Sequence, residues 1–270
     1  MKYLYLAVSS VVLAYFIIIL FVYFYQRNLL YHPSENNYLN DKITFNYEEI
    51  LIETDKKIKL KSWFIKKDLD KFKTILIFHG NAGNLFNRVY KLNELNKLDV
   101  NILLISWRGF SGNKGKPTEK NLYHDAEEAV KWLNNRGAIS KNIILYGESL
   151  GTGVATELGT SNAFGGIILE SPFTSIENSA RIYYPYLPVS FLLKDRYDSI
   201  SKIKKINSPI LIMHGRKDDI VPFWMGEKMF DLANEPKKKY FIDEDKHLVT
   251  YDKVLMDHMD KFYNLLNINE

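Results

Sequence analysis

The spacing of short apolar runs constrains this 270-residue chain more than any other feature. Leu60–Ile65, Thr74–Phe78, Asn101–Ser106, Asn142–Tyr146, Gly166–Leu169 and Pro209–Met213 are short and rich in Ile and Leu. Strands covered on both faces of a parallel sheet have this composition. Helical patterns at Asn84–Leu98, Glu119–Asn135, Leu150–Gly159, Phe223–Ala233 and Thr250–Leu266 fill most of the intervals. Two further strand-like runs flank the set: Glu49–Glu53, which predicts an antiparallel hairpin with Leu60–Ile65, and Lys239–Ile242. The alternation predicts an α/β domain with a mostly parallel eight-stranded sheet flanked by helices. Only Pro172–Ser208, with Pro185 and Pro188, breaks it. That block reads as a helix with its connections, a lid-like excursion being the alternative.

A different constraint acts at the N-terminus, where Tyr3–Tyr25 is a run of 23 residues without charge, Gly or Pro, in a chain whose mean hydropathy is −0.21. At about 1.5 Å per residue a helix of that length crosses a hydrocarbon layer of roughly 30 Å. Tyr3 and Tyr5 at one end, and Tyr23, Phe24 and Tyr25 at the other, suit the two interfaces. A cleaved signal peptide is the rival, but the run is longer than its apolar region and no small-x-small site follows. The expectation is a transmembrane anchor over residues 1–27, a linker over 28–48 and an enzyme domain over 49–270. Lys2 against Arg27 is too small a bias to orient it. The 36 basic and 32 acidic residues are interspersed, which argues against a nucleic-acid partner. The absence of cysteine excludes disulfides, thiolate metal sites and a cysteine nucleophile.

Gly147-Glu148-Ser149-Leu150-Gly151 fits G-x-S-x-G, between a buried-strand run and a helical one. The turn demanded by that pattern lifts a serine hydroxyl above the sheet, so Ser149 is the candidate nucleophile. Serine needs a base, and the base an orienting acid. On a strand–turn–helix elbow of this type the chain order is serine, acid, histidine. His214 precedes the best acid and His258 lies within the last helical run, so His247, in the loop before that run, is the expected base. After Pro209–Met213 come Asp218 and Asp219, whose adjacent side chains aim differently. One would orient His247 and the other would cap the helix near Pro222. Glu170 is the second choice of acid, and Asp195 and Asp198 read as surface or cap residues. His79-Gly80-Asn81-Ala82-Gly83-Asn84 supplies small residues after a strand. The backbone N–H groups of Asn81 and Leu150 are the expected oxyanion donors.

Arg27-Asn28-Leu29-Leu30-Tyr31-His32-Pro33, the HGNAGN loop, Trp107-Arg108-Gly109-Phe110, Lys116-Pro117-Thr118-Glu119, GESLG, Ser171-Pro172-Phe173-Thr174-Ser175 and HGRKDDIVP together resemble the Bem-type α/β hydrolases. That group includes α/β-hydrolase-domain-containing proteins 13 and 17. The resemblance runs over nearly the whole chain and implies the α/β-hydrolase fold. Its H-G-x-x-D-x-x-V-P pattern puts the acid on Asp218, and its basic-Gly-aromatic segment puts Arg108, Gly109 and Phe110 at the floor of the site. The family's histidine often sits in a Gly-x-Gly-His loop, whereas here the flanks are Glu244-Asp245-Lys246-His247-Leu248. The segment Ser111–Gly115 also departs slightly from the usual run.

The resemblance implies a serine hydrolase cleaving esters or thioesters through an acyl-enzyme, with no metal or organic cofactor. Lipid-linked or acyl-protein substrates suit an enzyme held at a bilayer, and Tyr183, Tyr184, Tyr186 and Phe191 are compatible with an acyl groove. Acyl transfer to another acceptor and a silent membrane scaffold are the alternatives. The complete set of nucleophile, acid, base and oxyanion loop weighs against the scaffold. Dehalogenase chemistry would want aspartate at 149.

Overall fold

The eight strand-like runs all enter one sheet in the computed structural model, which describes residues 1–36, 39–55 and 57–268. Residues 37 and 38 of the expected linker, and residues 56, 269 and 270 of the expected domain, lie outside the described residues. The strands are β1 (Glu48–Asp55), β2 (Ile58–Ile65), β3 (Thr74–Phe78), β4 (Asn101–Ile105), β5 (Ile143–Glu148), β6 (Gly166–Glu170), β7 (Ile210–Gly215) and β8 (Lys237–Ile242). Their spatial order is β8-β7-β6-β5-β3-β4-β2-β1. From β4 across to β8 every pairing is parallel. The pair β1–β2 is antiparallel, as the hairpin expectation had it; one expectation needs correction, because β2 is apolar like the inner strands yet also runs antiparallel to β4. Burial selects apolar residues in either direction, so composition does not encode polarity. The tight connection from β1 to β2 permits only an antiparallel pair. At the far edge, β8 opens with Lys237, Lys238 and Lys239, charges that discourage pairing with another chain.

Helices are α1 (Lys2–Leu30), α2 (Val89–Leu95), α3 (Glu119–Asn134), α4 (Leu150–Gly159), α5 (Ile176–Tyr183), α6 (Val189–Leu192), α7 (Phe223–Leu232) and α8 (Lys253–Ile268). Strand residues alternate between two cores. Leu76 and Phe78 of β3 join α3, α4 and α7 on one face, while Ile75 and Ile77 join α2 and α8 on the other. The helix expected from Asn84 begins instead as a 3₁₀ turn, Leu85–Arg88. Asn84 caps that turn, its Oδ1 accepting from Phe86 N at 2.9 Å while its own N donates to Asn87 Oδ1 at 2.9 Å.

α1 is long and apolar enough to cross a membrane, and its C-terminal half is docked on the block after β6. There α5 and α6 form a small satellite core, Leu187, Val189 and Leu192, against Ile19 and Val22 of α1. Polar contacts pin the same seam. Tyr15 donates to the Tyr186 carbonyl at 2.7 Å, Gln26 Nε2 to the Leu192 carbonyl at 2.9 Å, and Lys194 N to Gln26 Oε1 at 2.8 Å. Asp195 is 3% exposed, so it is no surface residue. It accepts from Arg27 at 2.8 and 3.1 Å, from Tyr31 at 3.2 Å, and from Glu119 N at the start of α3 at 3.2 Å. Beyond Tyr31 the chain lies along the loop after β3: His32–Pro33 pairs in parallel with Ala82–Gly83.

Candidate active site

Loops at the carboxyl ends of the parallel strands converge where an open α/β sheet places its site. The turn from β5 into α4 is sharp. Ser149 holds φ +49° and ψ −114°, an uncommon conformation for a residue with a side chain. A Cβ on Gly147 would stand 2.5 Å from the Gly151 carbonyl oxygen, and one on Gly151 only 1.9 Å from that of Phe78. Both glycines of the motif are therefore required by the close approach of α4 to the sheet. The turn is held by Ser149 N donating to the Glu170 carbonyl at 2.9 Å and Thr152 N donating to the Ser149 carbonyl at 2.9 Å.

The structure brings Ser149, His247 and Asp218 into one chain of hydrogen bonds. His247 Nε2 lies 2.9 Å from Ser149 Oγ, and its Nδ1 lies 2.8 Å from Asp218 Oδ2. Asp218 Oδ1 accepts from Ile220 N at 2.9 Å and Val221 N at 2.8 Å. The backbone of His247 is anchored by Ser171 Oγ, which donates to its carbonyl at 2.8 Å. Burial pushes the Asp218 carboxyl up, but bonds from His214 and His247, the His247 charge and the Val221 N–H outweigh it and hold it well below the usual range. It is ionised at neutral pH and fixes His247 with Nδ1 protonated and Nε2 free to accept from the serine.

Other expectations sort differently. Asp219 makes no cap among the described residues: it is exposed and faces Lys246 at 3.5 Å, while Pro222, the residue before α7, offers no side-chain cap. Asp218 supplies the local turn bonds itself. Glu170 is buried in an ionic cluster, and His258 stacks on Tyr240 with ring centroids 4.2 Å apart. Arg108 directs its guanidinium to Asp125, at 3.0 Å from Nε, and to Asp55 at 2.9 Å, locking the loop after β4 to α3 and β1. Phe110 packs against His79 under the oxyanion loop.

Two features escaped the sequence reading. His214, set aside by chain order, shares the acid: its Nε2 lies 3.0 Å from Asp218 Oδ2 and 3.0 Å from the Val221 carbonyl. That carbonyl only accepts, so Nε2 carries the hydrogen. The second feature is an ionic cluster beneath the elbow. Glu148 accepts from Arg88 and from Lys91, each at 2.6 Å, and Lys91 also reaches Glu170 at 2.5 Å. Glu148 further accepts from Gly80 N at 3.2 Å, tying the loop after β3 to the elbow. Tyr146 donates to Glu170 at 2.5 Å and is hydrogen-bonded to Tyr251. The available signal was two cations, Arg88 and Lys91, one helical turn apart among buried Leu85, Val89, Leu92 and Leu95.

The loop after β3 passes close to Ser149, a Cβ on Gly80 lying 3.4 Å from that of Ser149, and the expected donor Asn81 follows Gly80 in that loop. Neither Asn81 N nor Leu150 N donates to a protein acceptor among the described residues. Leu150 opens α4, whose N-terminal dipole favours developing negative charge. His79 shapes the loop from below. Its Nδ1 lies 2.7 Å from the Gly80 carbonyl, and its own carbonyl accepts from Trp107 Nε1 at 3.0 Å. Burial, helped by the Arg88 charge, pulls its pKa from 6.5 down to about 3. A histidine held neutral in the fold takes up its proton more readily unfolded, so stability falls as pH drops below 6.5, by about 1.4 kcal/mol per unit. Urea unfolding at pH 7 and pH 5 should differ by about 2 kcal/mol from this group, a difference that His79→Gln removes. An unchanged pH slope in His79→Gln would refute the assignment.

An eight-stranded sheet in this order, with a strained strand-to-helix turn closing its fifth strand, defines an α/β hydrolase. Solved structures share the fold. An esterase of Pyrococcus furiosus matches with a TM-score of 0.68 at 20% identity, over 88% of this chain and 97% of its own. A soluble variant of the Saccharomyces cerevisiae monoglyceride lipase matches at 0.64 and 15% identity, over 86% and 99%. The family model described as the prolyl oligopeptidase family covers residues 108–264, which take in Ser149, Asp218 and His247. Within this class the chain belongs to the Bem46-type family. It is 32% identical to protein bem46 of Schizosaccharomyces pombe over 82% of this chain and 79% of that one. It is 31% identical to human alpha/beta hydrolase domain-containing protein 17B over 74% and 69%. Membership makes the chain a hydrolase of the ester type.

Proposed function

We propose that the protein is a membrane-anchored serine hydrolase that cleaves carboxylic esters or thioesters through an acyl-enzyme. The observation that carries this reading is the unbroken hydrogen-bond chain Ser149–His247–Asp218. In acylation His247 Nε2 takes the Ser149 proton while Oγ bonds to the acyl carbon, and the carbonyl oxygen becomes an oxyanion held by the N–H groups of Asn81 and Leu150. As the tetrahedral adduct collapses, the bond to the leaving oxygen or sulfur breaks, and the leaving group takes the proton from His247. Water then repeats the sequence on the acyl-enzyme and frees the acid. Asp218 keeps the imidazole in the required tautomer and stabilises the imidazolium. The apolar run within α1 anchors the enzyme and the domain from β1 onward carries the chemistry; the anchor expected over residues 1–27 extends as helix to Leu30, so the linker expected over 28–48 begins inside that helix.

Labelling with a fluorophosphonate probe tests the reading directly. Wild type is expected to label on Ser149, and Ser149→Ala to lose the label completely. Persistent labelling of Ser149→Ala, or none of the folded wild type, would sink the hypothesis.

A further inference from the structure

An apolar cavity of about 180 Å³ lies between α1 and the α5–α6 block. Val22, Leu29 and Leu30 of α1 form one wall, with Ala180, Tyr183 and Leu192 opposite. Both walls reach the site. The Leu30 carbonyl accepts from Asn81 Nδ2 at 2.8 Å, on the oxyanion loop, and the Tyr183 hydroxyl donates to the Asp219 and Ile220 carbonyls at 3.1 and 2.7 Å, on the acid loop. Each wall of the cavity is thus bonded to one of the two loops that flank Ser149. A dry cavity of about 150 Å³ accepts a molecule the size of benzene, so this one holds about six carbons of a chain.

Its position relative to a bilayer follows from the seam. Contacts along α1 extend from Arg27, paired with Asp195, back to Tyr15, bonded to the Tyr186 carbonyl. The twelve rises between those two residues span roughly 18 Å of helix. With Arg27 at the water boundary, the α5–α6 block and the cavity beside Val22 lie at the depth of the acyl chains. The outer face of the block carries Tyr186, 64% exposed, and Phe191, 89% exposed, and its exposed cations Arg181 and Arg196 are both paired with Glu177. Tyr186 and Phe191 stand outside the cavity, whereas Tyr183 and Tyr184 line it.

We propose that this cavity is the acyl-chain site and that α1 is its wall as well as a tether, so that esters with acyl chains of about six carbons or more enter from the bilayer. The inference rests on the serine-hydrolase reading. It explains why the anchor is bonded to the domain at Tyr15, Gln26 and Arg27, a seam that a simple tether would not require.

The full-length protein in detergent micelles provides the test, with p-nitrophenyl acetate and octanoate as probes. Val22→Trp and Ala180→Trp fill the cavity from opposite walls. Each is expected to lower the octanoate-to-acetate ratio of kcat/KM by roughly 30- to 100-fold, the worth of about three buried methylenes. Leu192→Ala enlarges the cavity and should move the preferred chain length upward. A ratio within twofold of wild type in a tryptophan variant that still labels with fluorophosphonate would overturn the proposal. Should both tryptophan variants fail to fold, an unmoved chain-length optimum in Leu192→Ala overturns it equally. Either failure with Ser149 labelling intact leaves the hydrolase reading standing, whereas loss of wild-type labelling removes both.

Discussion

Asp218→Asn is expected to lower kcat for ester hydrolysis by about 10³- to 10⁴-fold while leaving the fold in place. The magnitude follows from donor and acceptor counting. In the native site Oδ1 accepts from the N–H groups of Ile220 and Val221, and Oδ2 faces His247 Nδ1 and His214 Nε2. The amide of asparagine has one oxygen, and the two backbone donors claim it. Its NH₂ group is then turned toward both histidines. His214 retains the Val221 carbonyl as acceptor at 3.0 Å and keeps its hydrogen on Nε2. His247 has no such alternative, so it shifts its hydrogen from Nδ1 to Nε2 and presents a donor to Ser149. A base in that tautomer cannot accept the serine proton. KM for a short ester should move little, because the hydrogen bonds of Asp218 run to His214, His247, Ile220 and Val221 and not to Asn81 or Leu150. Steady-state kinetics and the second-order rate of fluorophosphonate labelling should fall together. A loss of less than tenfold would show that another group orients the base.

Much of this architecture was legible because the relevant forces act locally. The inner strands were readable from apolar runs, since a strand buried on both faces has few alternatives to Ile, Leu and Val, whereas the edge strands β1 and β8 are largely exposed or half-buried. The elbow was readable because Gly147 and Gly151 are imposed by clashes within a few residues and with the neighbouring strand. The acid needed the family pattern to separate Asp218 from Asp219, as both are equally placed by the strand before them. Long-range pairings were not legible. Nothing local in Leu60–Ile65 specifies that β2 runs against β4. Asp195 reads as a surface or cap residue until Arg27, 168 positions away, is brought beside it; it is buried, and it does accept from Glu119 N at the start of α3. His214 failed a rule of chain order that concerns the base, although geometry gives it a different task on the same carboxylate. The seam along α1 is invisible for a related reason: a charge-free helix reads the same whether lipid or protein covers it.

Lys91→Met should produce the largest loss of stability of any single change considered, about 3–5 kcal/mol, although Lys91 is remote from the reacting atoms. Its side chain is fully buried between Glu148 and Glu170. Burial disfavours its charge, but attraction to the two carboxylates outweighs that and holds its pKa well above the ordinary value. Glu148 is likewise held well below its usual range by Arg88 and Lys91. Two cations and two carboxylates therefore balance in a space closed to water, and methionine leaves the carboxylates with Arg88 alone. Since Glu148 also accepts from Gly80 N, its displacement would loosen the loop that carries Asn81. Among the described residues Glu170 pairs with no second cation, and its Oε1 has no hydrogen-bond partner. Glu170→Gln placed on top of Lys91→Met should therefore recover part of the loss, because the orphaned charge goes with its partner. The coupling between the two changes, read from urea unfolding of the four proteins, should exceed about 1 kcal/mol. Additive losses would mean that the two groups are not paired. A stable Lys91→Met protein would mean that the elbow rests on packing rather than on the buried charges beneath it.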